Sequence, residues 1–122
     1  ASVGFTYVSG PFEIFGEYQH GWDWAYVDEY ETDTAQLGFL WDATEAVTFG
    51  MMYEYLGIDD ENGWNVTPEY QRGVVHLRYT FDTGMYMMGE YGYEYVDADL
   101  GGGGANDDRN GHLIGFRTGW TF

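Results

Sequence analysis

The sequence contains no cysteine and no lysine, so its four arginines are its only permanent cations. Without cysteine, the chain has no disulfide framework, no thiolate zinc site and no cysteine nucleophile. Its 21 acidic residues give a formal net charge of −17, which excludes a general nucleic-acid binder because such a protein needs a basic surface. Apolar runs cover only a few residues, far fewer than the roughly 20 of a membrane-spanning helix.

Aromatic residues are abundant instead. They make up 20% of the 122 residues, and 44% of the chain is hydrophobic. Disordered chains are poor in aromatic residues, so this composition excludes intrinsic disorder. Tyrosine, phenylalanine and tryptophan favour β-strands. Since the length suits one domain and no linker divides the chain, we expect a single all-β domain over residues 1–122.

Apolar and polar residues alternate with a period of two along the whole chain. This period predicts β-strands that each have one apolar and one polar face. Seven segments show it: 3–7, 12–26, 35–41, 47–55, 73–81, 85–95 and 114–122. Gly, Pro and Asp predict tight turns at 10–11, 42–46 and 82–84. Long acidic loops are predicted at 28–33, 59–69 and 97–111, which puts all the long loops on one rim.

Two β-barrel architectures fit such strands. A soluble barrel places the apolar face inside, whereas a membrane barrel places it against lipid. Here the apolar face carries too many bulky rings for a small interior, and strands of roughly 9–11 residues can cross a bilayer at a tilt. The rings also concentrate at both strand ends, as in membrane girdles. We therefore expect an antiparallel up-and-down transmembrane β-barrel with a girdle of Trp22, Trp24, Trp41, Tyr79, Phe81, Tyr91, Tyr93, Trp120 and Phe122.

The final segment, residues 115–122, reads Gly-Phe-Arg-Thr-Gly-Trp-Thr-Phe. It resembles the closing strand of Gram-negative outer-membrane β-barrel proteins, porins among them, which ends in phenylalanine with an aromatic residue two positions earlier. Phe122, Trp120 and Phe116 match this pattern, and Arg117 stands where the family usually has a small residue. The resemblance implies a place in the bacterial outer membrane, contact with membrane lipid and lipopolysaccharide, and recognition of this strand by the barrel assembly machinery. For a porin it also implies a homotrimer.

The predicted number of strands is odd. Bacterial single-chain barrels have an even number, with both termini on the periplasmic side. Seven strands that end on the periplasmic side therefore lack one partner. Three explanations are open: the chain is the C-terminal portion of a larger barrel, the count is wrong by one, or other chains complete the barrel. We favour the first.

Charged residues on the polar faces of the strands line the interior of such a barrel. They are Glu13, Glu17, Asp23, Glu54, Arg72, His76, Arg78, Glu90, Glu94 and Arg117. Carboxylates outnumber arginines in this set, so we expect an interior that prefers cations. The alternative is a set of salt bridges that fills a narrow barrel.

Cross-strand pairs within this set follow from turn geometry. If the short turn between the fifth and sixth strands is regular, Arg72 faces Glu94 across the two strands. The same register places His76 opposite Glu90, and Arg117 of the last strand lies beside them.

Together these features favour a porin-like channel for the passive diffusion of small hydrophilic solutes or ions. Two alternatives stay open. One is a non-conducting small outer-membrane barrel with a structural or adhesin-like role, and the other is a soluble lipid-binding β-barrel. We do not expect an enzyme, because no nucleophile is placed beside a general base; the only serines, Ser2 and Ser9, are both near the first strand.

The acidic loops offer the oxygen ligands that Ca²⁺ and Mg²⁺ prefer. The candidate ligands are Asp59, Asp60, Glu61, Asp107 and Asp108. They lack the full calcium-loop motif, and no spacing in the chain resembles a zinc site. We therefore expect no resident metal and no cofactor beyond loosely bound Ca²⁺ or Mg²⁺.

Overall fold

The computed structural model describes residues 1–22, 30–60, 68–97 and 108–120. Within them the chain forms one open antiparallel sheet of seven strands, paired in sequence order. The strands are β1 (Ser2–Ser9), β2 (Phe12–Trp22), β3 (Tyr30–Asp42), β4 (Val47–Asp60), β5 (Glu69–Thr80), β6 (Met85–Asp97) and β7 (Arg109–Trp120). The predicted all-β, up-and-down order of seven strands is confirmed. The described residues include no helix that is long and apolar enough to cross a membrane.

Tight turns join the strands at one edge of the sheet, which we call the turn rim. Gly10 lies between β1 and β2, and its φ of 59° suits the first central position of a type II′ turn. Between β5 and β6, Gly84 has a φ of 80° and donates its N–H to the Phe81 carbonyl at 2.9 Å. Between β3 and β4, Thr44 Oγ1 accepts the Val47 N–H at 3.0 Å. All three predicted turns are therefore present, and the opposite edge is the loop rim.

The strands extend further towards the loop rim than the alternation predicts. β3 begins at Tyr30, β4 continues to Asp60 and β6 continues to Asp97. The predicted loop bounds are therefore wrong at these ends. The reason is that a hairpin ladder continues for as long as its backbone N–H and C=O groups pair, whatever the side chains are. Acidic residues therefore lie on the paired ends of the strands, beyond the apolar part of the sheet.

The two faces of the sheet differ in chemistry and in exposure. The apolar face carries exposed aromatic and aliphatic side chains from every strand. On the polar face, charged residues alternate with glycines and a few apolar residues. Val74 is the one buried hydrophobic side chain in the described part of the chain, at 7% exposed, and it belongs to the polar face. Within the described residues no second layer covers either face, so this part of the chain has no conventional core.

Candidate functional site

The polar face of the sheet is the candidate functional site, because the strands bring most of their charged side chains together there. The strand registers align these side chains in rows that cross the sheet from β1 to β7. From the loop rim to the turn rim, we call them the loop-side row, the apolar belt and the turn-side rows.

The loop-side row contains Glu17, Gln36, Glu54, Arg72 and Glu94. Glu17 accepts hydrogen bonds from Gln19 Nε2 at 2.7 Å and from Gln36 Nε2 at 3.0 Å. Arg72 Nη1 lies 3.8 Å from Glu54 Oε2, and the Tyr70 hydroxyl donates to Glu94 Oε2 at 3.4 Å. Because three carboxylates face one guanidinium, the row is negatively charged.

The predicted cross-strand pairs lie on both sides of the apolar belt: Arg72 and Glu94 belong to the loop-side row, whereas His76 and Glu90 belong to the first turn-side row. The β5–β6 register places Arg72 opposite Glu94 and His76 opposite Glu90, which confirms the pairing expected from the turn. Arg117 Nη2 donates to Glu90 Oε1 at 3.1 Å, so the predicted contribution of β7 is confirmed as well. The Glu90 side chain is 12% exposed and the Arg117 side chain 62%, so solvent reaches this ion pair mainly from the arginine.

A second polar cluster, which sequence reasoning missed, lies beside the turn rim. The Thr48 hydroxyl donates to Asp42 Oδ1 at 2.6 Å, and Arg78 Nη2 donates to Thr48 Oγ1 at 3.1 Å. Asp42 falls in a segment predicted as a turn, yet it ends β3 on the polar face. The sequence feature that could have placed Asp42 on the polar face is the period of two, which continues from Gln36 through Leu40 to Asp42.

The apolar belt separates the loop-side row from the turn-side rows. Its members are successive register partners on the seven strands: Thr6, Phe15, Gly38, Met52, Val74, Gly92 and Leu113. Alternation alone could not reveal it, because the alignment of seven strands depends on six registers. The belt brings apolar side chains from β2, β4, β5 and β7 to one level of a face that is otherwise mainly polar.

Glycines on the polar face receive the larger side chains of neighbouring strands. The Phe15 ring lies over Gly38, and the His76 ring lies over Gly50, so a Cβ added at either glycine would overlap the ring. Glu90 lies over Gly115 in the same way. These side chains therefore lie along the sheet instead of standing upright on it.

On the apolar face, aromatic rings gather near both rims. Near the turn rim, Phe12 stacks with Trp41 at a ring separation of 6.2 Å, and Tyr79 meets Phe81 edge-on at 4.9 Å. The predicted girdle residues within the described strands are exposed on this face: Trp22, Trp41, Tyr79, Tyr91, Tyr93 and Trp120. Rings therefore lie near both rims. The row between them joins Ile14, Met51, Val75 and Ile114, and it also contains Tyr7, Phe39 and Tyr91.

Near the loop rim, polar groups meet the aromatic rings. Asp33 accepts a hydrogen bond from the Tyr18 hydroxyl and bonds His20 Nδ1 at 2.9 Å. The Tyr91 hydroxyl bonds His112 Nδ1 at 2.7 Å. Asp33, which was expected in a loop, instead belongs to β3. The apolar face therefore becomes polar within the last residues of its strands.

Several predicted site residues lie outside the described residues: Asp23, Trp24, Glu61, Asp107 and Phe122. Asp59 and Asp60 end β4, but their side chains are not among those described. Asp108 precedes β7 and is exposed. Over 1–22, 30–60, 68–97 and 108–120, no group of three or more histidines, aspartates or glutamates is arranged to hold a metal ion. Loose cation binding by the loops stays a prediction.

No protein-family model, curated protein or solved structure matches this chain. What the protein does must therefore be inferred from its own geometry.

Proposed function

We propose that the sheet is part of the wall of an outer-membrane β-barrel whose polar face lines a porin-like channel. Small hydrophilic solutes and ions, preferentially cations, diffuse passively through it. The main observation in support of this proposal is the exposure of the apolar face, on which large side chains such as Leu37, Leu77 and Phe116 are more than half exposed.

Such a face is unusual for a protein surrounded by water. Soluble monomers rarely expose apolar patches larger than a few hundred Å², whereas here exposed hydrophobic side chains occur on all seven strands. Lipid would cover this surface at no hydrophobic cost, and the aromatic rings near both rims suit the two membrane interfaces. Strands β2 to β7 have 11 to 14 residues, long enough to cross a bilayer at a tilt.

The two edges of the sheet support closure by additional strands. In lipid, every backbone N–H and C=O must find a partner, but among the described strands none lies beyond β1 or β7 in the sheet. As the first and seventh strands of an antiparallel order, β1 and β7 run in the same direction. An odd number of further strands between them gives an antiparallel barrel with an even total. This supports the proposal that the chain is the C-terminal portion of a larger barrel.

The charges of the polar face support cation preference. Its described carboxylates exceed its arginines: Glu13, Glu17, Asp42, Glu54, Glu90 and Glu94 face Arg72, Arg78, Arg109 and Arg117. A wall with this excess raises the local concentration of cations in an aqueous pore.

The apolar belt favours a second candidate, a non-conducting small barrel with a structural or adhesin-like role. An eight-stranded barrel is narrow enough for side chains to fill it. Phe15, Met52, Val74 and Leu113 would then pack against one another as a central layer. This candidate shares the membrane location and differs only in strand number and in the absence of a water path.

A soluble lipid-binding barrel has less support. It requires the apolar side chains to be the more shielded ones. The opposite holds for neighbours on β7: Ile114 of the apolar face is 84% exposed, and Leu113 of the polar face is 39% exposed. No enzyme activity is proposed. Lipid, lipopolysaccharide, the assembly machinery and a homotrimer stay predicted partners that depend on the family resemblance.

Electrical recording from planar bilayers tests the proposal. The protein is folded in detergent, inserted into a bilayer and exposed to a salt gradient. We expect stepwise conductance with a reversal potential that indicates cation preference. Folding without conductance would favour the non-conducting barrel, and anion preference would contradict the proposed role of the carboxylates. Folding in buffer without detergent would overturn the membrane assignment itself.

A further inference from the structure

A depression on the polar face lies where the apolar belt meets the loop-side row. It has a volume of about 320 Å³, and its lining includes Gly4, Thr6, Phe15, Glu17 and Gln36. We propose that this depression binds a small organic cation, such as an alkylammonium group. The inference rests on the proposed function, because the channel is the route by which a solute reaches this face.

The shape of the depression follows from the residues of β1 and β2. Gly4 is paired with Glu17, and Thr6 is paired with Phe15. Both β1 residues are small, while the Phe15 ring leans away from them over Gly38 of β3. Space is therefore left on the β1 side of the ring and of the carboxylate.

Glu17 supplies negative charge to the depression. Its two carboxylate oxygens accept hydrogen bonds from Gln19 and Gln36. Both donors are neutral amides, so they orient the carboxylate without cancelling its charge. The arginine of this row, Arg72, lies instead beside Glu54 on β4. In the described part of the chain no cationic side chain is paired with Glu17, so a cation that enters the depression meets an oriented carboxylate that keeps its charge.

Phe15 and the belt supply the apolar half of the site. A cation close to the face of an aromatic ring is attracted by the ring quadrupole. Phe15 and Glu17 lie on the same face of β2, separated by one residue. Met52 lies beyond Gly38 at the same level of the belt, so alkyl groups can pack along the belt. K⁺ has no alkyl groups to pack along the belt and is more strongly hydrated than an alkylammonium ion, so we expect the site to select organic cations over K⁺.

Calorimetric titration of tetramethylammonium chloride into the detergent-folded protein tests the site. We expect saturable binding that excess K⁺ competes for poorly. Phe15→Leu removes the ring and should weaken binding about three- to tenfold. Glu17→Gln should weaken it by at least as much, because an exposed carboxylate attracts a contacting cation about as strongly as a ring does. Phe15→Tyr keeps an aromatic ring and should bind tetramethylammonium nearly as well as the unmodified protein does. This variant distinguishes loss of the ring from a folding defect caused by substitution at position 15.

The matched control is Glu94→Gln, which removes the same charge from the same row on β6, far from the Phe15 ring. We expect the affinity for tetramethylammonium to change less than twofold in this variant. If Glu94→Gln weakens binding as much as Glu17→Gln, or if Phe15→Leu binds normally, the site is not the one proposed. Bilayer recording on the same preparation separates the two proposals. Binding without conductance overturns the channel and keeps the site, and conductance without saturable binding does the reverse.

Discussion

Two neighbouring residues of β7 summarise the contrast between the faces of the sheet. Ile114 belongs to the apolar face and is 84% exposed, whereas Leu113 belongs to the polar face and is 39% exposed. In a sheet adapted to water, the face with more apolar surface is the more shielded one. At this pair of positions the order is inverted. We therefore propose that lipid covers the apolar face.

The largest expected effect comes from placing a charge on each face at the same depth. We expect Ile114→Arg to lower the free energy of unfolding in lipid vesicles by about 2–4 kcal/mol, because a guanidinium at the bilayer midplane lacks water. Leu113→Arg should lower the free energy of unfolding by clearly less, since we expect the polar face to be in contact with water. Denaturant titration of both variants in vesicles measures the difference.

If the two variants show the opposite order of stability, the proposed surroundings of the two faces are wrong. If Leu113→Arg is the more destabilising variant, the polar face is a sealed interior, as in the filled small barrel. Equal losses would mean that the two faces meet similar surroundings.

The glycines of the two faces give the next largest effect. Gly38 on the polar face lies under the Phe15 ring, whereas no atom lies within 4 Å of a Cβ added at Gly73 on the apolar face. Gly38→Ala should cost about 1–3 kcal/mol, because the ring must move. Gly73→Ala should be neutral or slightly stabilising, since it restricts the unfolded chain. Thermal or denaturant unfolding of the two variants makes the comparison, and a costly Gly73→Ala would contradict the open space on the apolar face.

The next prediction compares the effects on ion selectivity of removing one carboxylate from the polar face and one from the apolar face. We expect Glu54→Gln to lower the cation-to-anion permeability ratio about two- to fivefold, because one unit charge on a hydrated wall changes the energy of a passing ion by roughly 0.5–1 kcal/mol. Glu69→Gln removes an exposed carboxylate of β5 on the apolar face and should leave the ratio unchanged. Reversal potentials in a salt gradient measure both variants, and equal effects would show that position on the sheet does not matter.

The smallest expected effect concerns the ion pair between Arg117 and Glu90. A double-mutant cycle with Arg117→Gln and Glu90→Gln should give a coupling free energy of about 0.2–1 kcal/mol, because the pair is cross-strand and partly exposed. The coupling should shrink in high salt. A coupling near zero at low salt would mean that the 3.1 Å contact contributes nothing to stability.

Much of the fold was predictable because it is local. The period of two identified all seven strands, and the Gly84 turn alone fixed the register that pairs Arg72 with Glu94. The strand ends were not predictable from side-chain hydrophobicity. Backbone pairing at Tyr30, Asp60 and Asp97 needs no apolar residue.

The candidate site was predictable residue by residue but not as an arrangement. Glu17, Arg72 and Glu90 are on the polar face as the alternation requires. The apolar belt depends on the registers of six hairpins. Three of these hairpins are connected by long loops, and no simple sequence rule gives the conformation of a long loop. The hydrogen bond between Thr48 and Asp42 was missed because aspartate is common in turns, so Asp42 was assigned to the turn. Side-chain placement over Gly38 and Gly50 depends on rotamers, which alternation does not specify.

The pairing of each strand only with its neighbours in sequence has a consequence for how the sheet forms. Each of the six ladders joins strands that are adjacent in sequence, so none incurs the entropy of joining distant segments. The sheet can therefore grow hairpin by hairpin, with each finished strand serving as a template for the next. Growth of this kind keeps every register independent of how many strands have already been added.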